Sequence, residues 1–132
     1  MTNMKNSKFP RSMIFTFVLC FCLPSLAGWT FVSNGTLGAK VYYDPASQNR
    51  DSEKVRVWVL IDLPFKQTDG SLSLREYWEM NCKEISYRIL QQEKYPERQT
   101  NGMRISGETD AGDWRYIAPD SVDRMILNRV CG

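Results

Sequence analysis

Catalysis by a serine or cysteine nucleophile needs a base, and the sequence contains no histidine to serve as one. No phosphate-cradling glycine loop and no zinc-ligand spacing occurs in it either. Carboxylates are the remaining catalytic material, with Glu76 and Glu79, or Asp44 and Asp62, as pairs of the kind that glycoside hydrolysis uses. Residues three apart on a strand point to opposite faces, so Glu76 and Glu79 are not expected to converge. The expectation is a non-catalytic chain with no metal and no cofactor. A small carboxylate hydrolase stays as the alternative, and it requires two acids meeting in one pocket.

Binding chemistry is better represented. Trp58 lies on the opposite parity from Val55, Val57, Val59 and Ile61, so either a second layer covers it or it is available to a partner. The segment "KYPERQTNGMR" has neither periodicity nor a core role, yet it gathers Lys94, Arg98 and Arg104 around Tyr95. Tyrosine and arginine are enriched where binding energy concentrates, and loops on a rigid sheet are where specificity is carried. The candidate binding residues are therefore Trp58, Tyr95, Arg98 and Arg104.

Residues 1–27 have the layout of an export signal: Lys5, Lys8 and Arg11 without an acid, an apolar run from Met13 to Leu23, then Pro24 and small residues ending at Ala27. The apolar run, about eleven residues, is short of the roughly twenty a transmembrane helix needs. Leu19 and Phe21 precede Cys20 and Cys22, where a lipid anchor would want a small residue. Cleavage after Ala27 leaves a domain over 28–132 with no transmembrane segment. It also removes three cations and no acid, so the 17 basic residues fall to 14 against 15 acidic ones. A broad cationic field of the kind nucleic-acid binding uses is then absent, and nucleic acid is not an expected partner. Only Cys82 and Cys131 survive the cut. In an exported chain such a pair is expected to form a disulfide, the alternative being two free thiols.

The pattern of the remaining chain is mostly of period two. Trp29–Ser33 and Ala39–Asp44 flank the turn "NGTLG", "KVRVWVLID" is the clearest strand, and "LSLREYWEMNC" and "EISYRILQQEKY" form a second hairpin. Met103–Ser106 and Trp114–Ile117 are short strand candidates. "PDSVDRMILNRV" places Val122, Met125, Ile126 and Val130 at helical spacing, with Asp120 or Ser121 as N-cap. Leu72, Leu74, Trp78, Met80 and Cys82 share one strand face, interrupted by Glu76, and the helix is expected to lie on it. The fold class is α+β: a small antiparallel sheet of about five to six strands with a C-terminal helix tied on through Cys131.

An initial tryptophan, "VYYDPAS", "VRVWVLID", a strand ending in "NC", a tryptophan before "IAPDS" and the final "VCG" together resemble the surface-adhesin protein E family of Gram-negative bacteria. The resemblance runs from Trp29 to Gly132. It implies an exported protein of the periplasm or outer cell surface, in a family that attaches to host extracellular and plasma proteins; the expected partner is a protein, from the host extracellular matrix or from the envelope. Cys82 and Cys131 match the family's cysteine pair, and Tyr43, Trp58 and Trp114 its recurrent aromatics. The functional expectation is a binding module, an adhesin for host extracellular proteins. Its alternative is a periplasmic module for a small molecule, glycan or envelope protein with no host contact.

Overall fold

The strict alternation of "KVRVWVLID" forms β4 (Lys54–Asp62), the strand around which the sheet is built. In the computed structural model, which describes residues 28–132, its valines face a core and its even-numbered residues face the other way. The expected export signal lies outside the described residues. The flanking strands are β1 (Thr30–Asn34), β2 (Lys40–Tyr43), β3 (Asn49–Asp51), β5 (Ser73–Asn81), β6 (Ser86–Tyr95), β7 (Ser106–Glu108) and β8 (Arg115–Tyr116). All pairings are antiparallel, in the order β1-β2-β4-β5-β6-β7, with β3 also on β4 and β8 also on β6.

Eight strands among the described residues exceed the five or six expected, and the register shows why. β2 and β3 follow one another along the same side of β4, pairing with Val59–Asp62 and Lys54–Arg56 respectively. Between them Asp44 accepts a bond from the Ala46 N–H and starts a short turn at Pro45 that interrupts the ladder. β7 and β8 divide the outer edge of β6 in the same way. The strand expected at Met103–Ser106 lies instead at Ser106–Glu108, and Met103 is fully out in solvent. Trp29 and Trp114, expected inside strands, each stand just before one.

Val55 sits across from Met80 and Val57 across from Trp78, and these side chains form the floor of the core. The roof is α1 (Val122–Cys131). Ser121 starts it as N-cap, its hydroxyl accepting from the Arg124 N–H at 3.1 Å. Ser121→Ala should lower stability by about 1 kcal/mol, readable in a urea denaturation curve. The buried residues of α1 are Ile126, Leu127 and Val130, whereas Met125, expected inside, is 41% exposed. A stripe at i, i+3, i+4 and i+7 from Asp123 contains those three residues and excludes Met125. Asp123 thus shares the buried stripe; burial pushes its carboxyl up, with Tyr87 and Arg115 acting in the opposite sense.

Cys131 is the last residue of α1 and is bonded to Cys82, which follows directly on β5, with 5.7 Å between the Cα atoms. The bond closes the helix over the sheet face that contains Trp78 and Met80. Glu76, the acid on that face, is buried and satisfied: it accepts from Trp78 Nε1 at 2.6 Å and from Gln92 Nε2 at 2.8 Å. An indole N–H inside a core needs an acceptor, and Glu76 supplies it.

Candidate binding face

With α1 on one side, the other side of the sheet has no helix over it. Its central residues follow from the register: Arg56 opposite Glu79 and Glu79 opposite Arg88, then Trp58 opposite Tyr77, then Leu60 opposite Arg75 and Arg75 opposite Glu93. One irregularity determines this set. β6 has an extra residue at Leu90, so Trp78 pairs with Ile89 but Tyr77 pairs with Gln91. A bulge of this kind changes the parity of everything beyond it. Tyr87 and Ile89 therefore face the helix, while Gln91, Glu93 and Tyr95, of the same parity, face the open side.

Two charge clusters result. Glu79 is 3% exposed, and it accepts from Arg56 Nε at 2.8 Å and Arg88 Nε at 2.9 Å, whose side chains are 47% and 29% exposed. Glu93, also buried, accepts from Arg75 Nη2 at 2.6 Å, the Tyr95 hydroxyl at 2.8 Å, Gln91 Nε2 at 3.1 Å and Arg104 Nη1 at 3.4 Å. The acids lie at the sheet surface and the guanidinium groups lie over them. Burial by itself pushes both carboxyls up, but the hydrogen bonds and positive charge of these partners outweigh it and hold both below the usual glutamate range. The Tyr95 phenol is pushed up, by burial first and by its bond to Glu93 second. Between the clusters Trp58 stacks on Tyr77 with 4.9 Å between ring centroids, and the Arg75 guanidinium lies 4.5 Å from the Trp58 ring centre.

Trp58, Tyr95 and Arg104, taken from two separate stretches of sequence, thus meet through Arg75 and Glu93 on one surface. Arg98 does not join them. Its guanidinium reaches the carbonyls of Leu63 and Pro64, at 3.4 and 3.3 Å, at the end of β4. The Gln99 and Thr100 amides bond to Asp62 and Ser73, and this anchoring of the loop turns Arg98 away. Lys94 also departs, since its parity puts it on the helix side, where it pairs with Asp69 at 3.0 Å. Asp69 is held at about 2 by the Ser71 hydroxyl and N–H and by Lys94. Arg56, Arg75, Tyr77, Arg88 and Glu93 are not among the expected site residues, and Glu79 is expected only as half of a carboxylate pair. The pairing of the β5–β6 hairpin could have found Glu79 with Arg88, but not Glu93 with Arg75, which depends on the bulge.

The carboxylate pairs do not converge. Glu76 is under the helix and Glu79 on the open face, while Asp44 caps a turn and Asp62 binds Gln99. An open sheet face carrying arginines and aromatics, backed by a helix that a disulfide fixes in place, is the architecture of a small binding domain. The chain belongs to the surface-adhesin protein E family, whose sequence profile matches residues 29–132.

Solved structures of Haemophilus influenzae protein E share the fold. A selenomethionine form has a TM-score of 0.62 and 16% identity, over 80% of this chain and 86% of that one. A second structure has 0.60 and 16%, over 80% and 84%. Crystal form II has 0.56 and 18%, over 69% and 79%. No curated protein matches the chain. Among the described residues no helix is long and apolar enough to cross a membrane.

Proposed function

We propose that residues 1–27 export this chain from a Gram-negative cell and are removed, and that the 28–132 domain acts without catalysis as a surface adhesin for a host extracellular protein. The observation that carries the reading is the asymmetry of the sheet: one face is closed by α1 and the other presents Trp58, Arg75, Tyr95 and Arg104 to solvent or near it. Aromatic and arginine side chains held by a rigid sheet are the anchors that protein interfaces favour. Family membership supports the adhesive role.

Labelling of intact cells with a membrane-impermeant amine reagent tests where the protein acts. Recovery of labelled protein, with an intact mass starting at Gly28, is the expected result. Protein that labels only after the outer membrane is opened would favour a periplasmic module without host contact. Tyr95→Ala with Arg104→Ala tests the face itself. Capture of purified protein on decellularised epithelial matrix stripped of glycosaminoglycan should fall about tenfold, the scale of losing two anchors of about 0.7 kcal/mol each. Thermal unfolding should barely move, because Glu93 keeps Arg75 and Gln91.

A further inference from the structure

The other end of the open face carries a cationic cleft that the adhesive reading does not use. It holds about 410 Å³ and is lined by Arg50, Lys54, Arg56 and Arg88, with Asp51 and Glu79 as its acids. Glu79 is already engaged beneath Arg56 and Arg88. Arg56 spends only Nε on it, so its outer N–H groups remain free to donate. Arg50 reaches only the nearby Ser52 carbonyl. The cleft lining contains no aliphatic or aromatic side chain. At its rim stands Trp114, 39% exposed, with Arg88 at 4.8 Å and Lys54 at 5.7 Å from its ring centre.

We propose that this cleft binds a sulfated glycosaminoglycan chain. Charge complementarity selects a polyanion, since guanidinium forks match oxyanions. A protein partner would want apolar anchors at the centre of its interface, and the cleft has none. Single-stranded nucleic acid would want successive free rings for its bases. Trp58 and Tyr77 are stacked on each other, and Trp114 at the rim is a single ring, not a series. Four cations against two acids leave the cleft a net charge of +2 and several outward N–H donors in a small space, which calls for closely spaced anions of the kind sulfation supplies and a single uronate per repeat does not.

The test is calorimetric titration of the purified 28–132 domain with a size-defined heparin oligosaccharide. Binding that weakens as salt rises is expected. Arg50→Ala with Lys54→Ala should weaken it about tenfold, the scale of losing charge-assisted contacts. Neither residue pairs with Glu79 or enters the core, so the fold is retained, and the Cys82–Cys131 bond and near-ultraviolet dichroism confirm it. Tyr95→Ala with Arg104→Ala should leave heparin binding unchanged, which separates this site from the adhesive one. Absence of binding by wild type, or equal affinity in the Arg50/Lys54 variant, overturns the proposal. Equal affinity for single-stranded DNA or for unsulfated hyaluronan overturns the choice of ligand.

Discussion

Cys131→Ser should cost about 4 kcal/mol of unfolding free energy, the chain-entropy value for a loop of this length. The bonded cysteines are 49 residues apart, so the unfolded variant gains the freedom of a long loop. Native strain would reduce the figure, and loss of helix docking would add to it. Ile126, Leu127 and Val130 bury themselves on Val55, Val57 and Met80 only while α1 stays over the sheet. A ten-residue helix is too short to persist alone in water, so release of its end frees more than one residue. Small domains have about 5–15 kcal/mol in all, which makes this the largest single loss expected. Guanidinium denaturation of wild type and variant, both shown by mass to lack other modification, gives the number directly. A midpoint within error of wild type would mean that the bond holds nothing in place.

Glu79→Ala should be the next most costly change, at about 2–3 kcal/mol. Removing one partner of a buried ion pair typically costs 3–5 kcal/mol, because the remaining charge is left without compensation. Here the remaining charges are Arg56 and Arg88, which face each other across β5 and are partly exposed, so solvent screening reduces the penalty. The same site governs an acid limb. Since Glu79 is held below its ordinary value in the folded protein, its contribution is fully present above the unfolded value of about 4.3 and is lost as pH falls through the folded value. Glu93 behaves the same way. Stability measured from pH 6 to pH 2 should fall on acidification in wild type. The fall should be shallower in Glu79→Gln, and a variant with the full wild-type slope would show that Glu79 does not set the acid limb.

The closed side of the molecule was legible in the sequence because it obeys period. The valines of β4, the parity of Trp78 and Met80, and the arithmetic that left Cys82 and Cys131 as a pair all led to the observed core and its staple. The helix was placed correctly but rotated, since Met125 and Leu127 are both apolar and only the docking geometry decides between them. The open side was legible only in part. Trp58 was visible because it stood alone among valines, and Tyr95 and Arg104 because their loop lacked any packing role. Their common partner Glu93 was hidden by the bulge at Leu90, since period two carried forward from Ile89 assigns Glu93 to the helix side. Arg98 shared the composition of its neighbours but was claimed by carbonyls at the end of β4, a contact that depends on a left-handed turn at Gln99 and Thr100.

The proposed adhesive surface is the open face, and not the helical one. Retention on decellularised epithelial matrix stripped of glycosaminoglycan by lyase treatment, compared between Tyr95→Ala/Arg104→Ala on the open face and Met125→Ala/Asn128→Ala on the exposed side of α1, tests this directly. The expected result is loss of retention in the first pair and wild-type retention in the second. Wild-type retention in the first pair with loss in the second would place the binding surface on the helix and contradict the claim.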